Sequence, residues 1–146
     1  MAISGVLVNV HNPALVLTMT KDGKVEGQSL NHTGRDNQLW FAQFRYVKET
    51  DAYVWSVLNK GTGKYLSWNS SMQVLMSDTQ HWWKLAIVGE NIGFQVPHAS
   101  KDDESYYTLE LEDNASVTWP VDRGIVTLKN QTGTVISRQL WTPVDK

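Results

Sequence analysis

Three Gln-x-Trp triplets constrain what this chain can fold into: Gln38-Leu39-Trp40, Gln80-His81-Trp82 and Gln139-Leu140-Trp141. A motif recurring at long spacing signals a repeat architecture, in which each unit is too small to bury its own apolar face and must stack on its neighbours. The tryptophans lie 42 and then 59 residues apart, so the third unit carries extra residues, most simply across 99–105 and around 121–133. Upstream of each triplet the same order recurs. Openings at Val10-His11-Asn12, Val57-Leu58-Asn59 and Val96-Pro97-His98 lead to second strands at 15–19, 65–68 and 107–111. The expected organisation is one domain over residues 1–146, built of units at about 1–47, 48–90 and 91–146. In each unit the triplet Trp is expected to be a buried anchor and the Gln amide to satisfy loop backbone groups.

Between the triplets the chain alternates short apolar runs with turn chemistry. Val6 to Val10, Tyr53 to Leu58, Gly93 to Val96, Tyr106 to Leu111 and Gly124 to Leu128 read as strands. Lys21-Asp22-Gly23-Lys24, Lys60-Gly61-Thr62-Gly63, Asp113-Asn114 and Asn130-Gln131-Thr132-Gly133 read as turns. No segment sustains a helical period over three turns. Three such units argue for a closed assembly, which also removes the exposed sheet edges that short strands would leave.

At this point the sequence resembles the ricin-B-like lectin family, whose units each end in Gln-x-Trp; Asn37-Gln38-Leu39-Trp40 matches the fuller Asn-Gln-x-Trp form. The resemblance spans the whole chain and is closest in character to the fungal, cytosolic, cysteine-free members. It implies an all-β fold, a β-trefoil of three pseudo-threefold repeats with about twelve strands. It also implies a shallow sugar pocket within a unit: an acid on the second strand, a stacking aromatic on the third, and the Asn before Gln-x-Trp. Laid on this chain, the first unit keeps Asn37, has Thr18 at the acid position and His32 or Thr33 at the stacking position, and offers Asp22, Asn31, Arg35 and Asp36 as replacements. The second unit has Ser67 and Thr79, and its Trp68 shares a strand face with Leu66, so it belongs to the core and not to a platform. The third unit has Glu110, Trp119 and Arg138, with Glu110 between Leu109 and Leu111 expected to point away from the core. The candidate carbohydrate-binding residues are therefore Asn37, Asn31 and Asp36 in one unit and Glu110, Trp119 and Arg138 in the other.

Composition closes off other classes. With no Cys, the chain has no disulfide framework, thiolate metal site or thiol nucleophile, and a reducing, cytoplasmic setting is expected. The four Asn-x-Ser/Thr triplets, at Asn31, Asn69, Asn114 and Asn130, are expected to be plain turn residues. A net charge of −2 with scattered Lys and Arg gives no basic stripe for nucleic acid, and no apolar run is long enough to span a membrane. His11, His32, His81 and His98 lack metal-ligand spacing, and no nucleophile elbow or phosphate loop occurs. The expectation is a protein that is not an enzyme, carries no cofactor, and takes glycans or glycoproteins as partners through a galactose- or mannose-type sugar. Its alternative is a trefoil that acts by protein contact, as a protease inhibitor or an accessory subunit. Strong agglutination would require linked sites, from two active units or a homodimer.

Overall fold

A computed structural model describes residues 2–30, 35–97, 105–112 and 123–145. The described chain is all-β apart from two short 3₁₀ turns, Arg35–Gln38 and Ser137–Gln139. Twelve strands follow in order: β1 (Ala2–Asn9), β2 (Val16–Met19), β3 (Val25–Gln28), β4 (Trp40–Val47), β5 (Ala52–Asn59), β6 (Tyr65–Trp68), β7 (Val74–Ser77), β8 (Lys84–Val88), β9 (Asn91–Gln95), β10 (Ser105–Leu111), β11 (Arg123–Thr132) and β12 (Trp141–Val144). The strand runs read from the sequence fall within these elements or overrun them by one residue. β11 continues to Thr132, through a segment that reads as a turn, because Asn130, Gln131 and Thr132 pair with Tyr107, Tyr106 and Ser105 of β10.

Six strands close a barrel. β1 pairs with β4 and β12, β4 with β5, and β9 with β8 and β12, and a bridge between Trp55 and Trp83 joins β5 to the start of β8. The other six form the hairpins β2–β3, β6–β7 and β10–β11. These hairpins meet one another: β11 pairs with β3, both touch β7, and the Met76 N–H donates to the Gly23 carbonyl (3.0 Å). Local chemistry sets the turns. The β2–β3 hairpin closes at Gly23, whose φ of +76° suits a residue without Cβ, and the Thr20 N–H donates to Lys24 across it (2.8 Å). At Gly5 (φ +119°) β1 changes partner, from β4 over residues 2–5 to β12 over residues 6–9.

Trp40, Trp83 and Trp141 are fully buried with Phe94, Leu17, Leu66 and Leu109 around them. Trp40 Nε1 donates to the Leu17 carbonyl and Trp83 Nε1 to the Leu66 carbonyl, each at 2.9 Å. This corrects the reading of the second triplet. Its anchor is Trp83, while Trp82 is half-buried beneath the Arg45 guanidinium, 4.2 Å from the ring centroid. Gln80 is correspondingly exposed, whereas Gln38 and Gln139 are buried.

Candidate functional site

Burial assigns the triplet glutamines a structural task. Gln38 Nε2 donates to Thr18 Oγ1 (3.2 Å) and to the Ser29 carbonyl (3.0 Å). Gln139 accepts from the Ile136 N–H (3.1 Å) and donates to Glu110 Oε1 (3.2 Å). Thr18, Ser67 and Glu110, where the sequence resemblance places a pocket acid, are all buried, with Glu110 only 1% exposed. Glu110 therefore does not point to solvent as strand alternation suggests. The Ser137–Gln139 turn packs on β10, so residues 108–111 are buried on both faces of the strand and period-2 alternation carries no information there. Lys129 Nζ stands 3.9 Å from Glu110 Oε2.

A polar cavity lies beside the first hairpin instead. It has a volume of about 480 Å³, within the range of small-molecule pockets, and is lined by Thr20, Lys21, Asp22, Lys24, Glu26, Gln28, Asn37 and Arg123. Strand alternation does hold here. Val25 and Gly27 face inward, which turns Glu26 and Gln28 to the cavity. Asn37 is held in place by its Nδ2, which donates to the Met19 carbonyl (2.9 Å), and by its carbonyl, which accepts from Asn59 Nδ2 (2.9 Å). Gln28 Nε2 donates to Glu26 Oε1 (2.5 Å), and Arg123 Nε lies 3.8 Å from the same oxygen. Arg123 arrives because β11 pairs with β3, Arg123 opposite Gln28. The cavity is therefore shared between the first hairpin and a strand far along the chain.

Its chemistry suits a polyhydroxylated ligand. Two carboxylates accept from hydroxyls, two amides do both, and three cations donate, leaving one net positive charge from three cations less two anions. No aromatic ring is among the lining residues. Of the sequence candidates, Asn37 lines the cavity, as does Asp22, the replacement acid of the first unit. Asp36 is exposed, with its carbonyl receiving the Gly61 N–H (3.1 Å). Arg138 is half-buried, and its carbonyl accepts from Asn9 Nδ2 (3.2 Å). Asn31 and Trp119, with His32 and Thr33, fall outside the described residues. Sequence reasoning missed Glu26, Gln28 and Arg123. The Lys24-x-Glu26-x-Gln28 alternation was a usable signal for the first two, while Arg123 is identified only by strand register.

Among the described residues no three His, Asp or Glu side chains gather as metal ligands, and no helix is long and apolar enough to cross a membrane.

No protein-family profile matches the chain, and no curated protein sequence matches it. Solved structures do. The Rhizoctonia solani agglutinin superposes with a TM-score of 0.62 at 18% identity, covering 100% of this chain and 96% of the agglutinin. A mosquitocidal holotoxin superposes with a TM-score of 0.63 at 18% identity over 97% of this chain, which spans only 17% of the toxin. At such identities the likeness is one of fold.

Proposed function

We propose that this chain is a β-trefoil of the ricin-B-like type, with units at residues 1–47, 48–90 and 91–146, that binds carbohydrate without catalysis in the cavity beside its first hairpin. The observation carrying this reading is the convergence of Asp22, Glu26, Gln28 and Asn37 with Arg123 on one concave space of about 480 Å³. A fold shared with a protein named as an agglutinin points the same way, by analogy of fold. Each unit supplies its first and fourth strands to the barrel, and the two are joined in all three units, β1 with β4, β5 with β8 through the Trp55–Trp83 bridge, and β9 with β12, which supports the trefoil description.

Asp22 and Glu26 would accept from vicinal hydroxyls, and Asn37, fixed through Met19, would hold a third. With no ring to stack on the sugar, recognition rests on hydrogen bonds worth about 1 kcal/mol each, so single-site affinity is weak. A galactose- or mannose-type sugar is the proposed class. A glycan array tests it, with binding to terminal hexoses expected; an array without a single bound glycan refutes it.

One observation favours action by protein contact as a second reading. Phe44, Tyr46, Tyr53 and Ile87 are 40% or more exposed and gather where the β4–β5 hairpin meets β8, with the Tyr53 ring centroid 5.4 Å from Phe44 and 5.3 Å from Tyr46. Tyr46 donates its hydroxyl to Asp51, and that hydrogen bond holds its pKa above the ordinary tyrosine value. Protease inhibition assayed beside the array separates the two readings for that class of partner.

A further inference from the structure

The polar cavity has a neighbour of opposite character. Lys24 and Glu26 line it on one side and, on the other, a cleft of about 420 Å³ where the three hairpins meet. Each hairpin contributes apolar surface to this cleft: Val25 from the first, Val74 and Leu75 from the second, Ile125 and Val126 from the third. Val25 and Val126 are 6% and 5% exposed and belong to the core, whereas Ile125, 57% exposed, presents its side chain to water. The amides at the cleft are already engaged with each other. Asn69 Nδ2 donates to Gln73 Oε1 (3.0 Å), and Asn69 Oδ1 accepts from the Ser71 and Gln73 N–H groups (3.0 Å each). What the cleft offers a ligand is therefore apolar contact, reached from the polar cavity across only two side chains. One of these is a lysine, whose methylene stem is itself apolar.

We infer that the two cavities form one bipartite site for an amphiphilic glycoside, with the sugar in the polar cavity and an alkyl or aryl aglycone in the cleft between the hairpins. The inference rests on the proposed sugar site. It explains why a polar, ring-free pocket lies against exposed aliphatic surface: the aglycone replaces the apolar contact that a stacking aromatic would give. A fully buried methylene is worth roughly fourfold in affinity, and an open cleft covers only part of a chain, so a gain of about tenfold is expected for an octyl group.

The test is calorimetric titration, below micelle-forming concentrations, of methyl and octyl β-galactoside, methyl and octyl α-mannoside, and 1-octanol. Wild type, Ile125→Asn and Val74→Thr are compared; the first substitution is at an exposed position, and circular dichroism confirms that both variants fold. In wild type the octyl glycoside of the bound sugar should bind at least about tenfold tighter than its methyl counterpart. Each variant should cut that gain to under about threefold while leaving methyl glycoside affinity unchanged. Equal affinity of methyl and octyl glycosides, a gain that survives both substitutions, or octanol binding as well as the octyl glycoside would overturn the bipartite site and leave the sugar pocket standing. If neither sugar binds in either form, the sugar reading falls and takes this inference with it.

Discussion

A buried carboxylate costs several kcal/mol unless its oxygens are met, and Glu110 meets that cost with Gln139 Nε2 at 3.2 Å and Lys129 Nζ at 3.9 Å. Glu110→Ala leaves the buried Gln139 amide without this acceptor and should lose about 2 kcal/mol in urea unfolding, whereas Glu110→Gln, which keeps an acceptor carbonyl, should lose less. Neither variant should alter sugar affinity, because Glu110 does not line the polar cavity. The adjacent tryptophans of the second unit give a similar contrast. Trp83 is 0% exposed and hydrogen-bonded to the Leu66 carbonyl, while Trp82 is half-buried beneath Arg45. Trp83→Ala should cost roughly 3–5 kcal/mol and Trp82→Ala about 1 kcal/mol, read from the same denaturation curves. The triplet pattern pointed to Trp82. Two neighbouring tryptophans are alike in composition, and only the pairing of Trp83 with Trp55 decides which ring turns inward.

Strands are short here, so the points at which they change partner matter as much as their length. Gly5 is such a point: a Cβ built on it would lie 2.1 Å from the Val144 carbonyl oxygen, and its φ is +119°. Gly5→Ala should therefore destabilise by about 2 kcal/mol or more, seen as a lowered urea midpoint with unchanged m-value; an unaffected midpoint would mean that the β1 crossover is not held as described. At this scale much was legible. The Lys21-Asp22-Gly23-Lys24 turn closes β2–β3, and the apolar runs at Tyr53 to Leu58 and Gly93 to Val96 fall in β5 and β9 or end one residue beyond. Alternation fails on β10, where the Ser137–Gln139 turn covers the face that a solvated strand would show to water, and on β2 and β9, whose residues are buried in succession.

For the whole molecule, the candidate site arises from assembly more than from any one segment. Asn37 was readable from its place before Gln38, and Asp22 from its turn, but Arg123 enters only because the third hairpin pairs with the first. Long-range register of this kind leaves no local trace in a sequence. Thr18, Ser67 and Glu110, where the sequence resemblance places a pocket acid, are structural instead: all three are buried, and two of them receive the triplet glutamines. Sugar binding beside the first hairpin is the proposal on which the others depend. Its most direct test is calorimetric titration of an array-identified sugar into wild type, Asp22→Asn, Asn37→Ala and Glu110→Gln. Asp22→Asn and Asn37→Ala should each weaken binding by about tenfold, near 1.4 kcal/mol, with Glu110→Gln matching wild type; full affinity in both cavity variants, or loss confined to Glu110→Gln, would rule out sugar binding in this cavity.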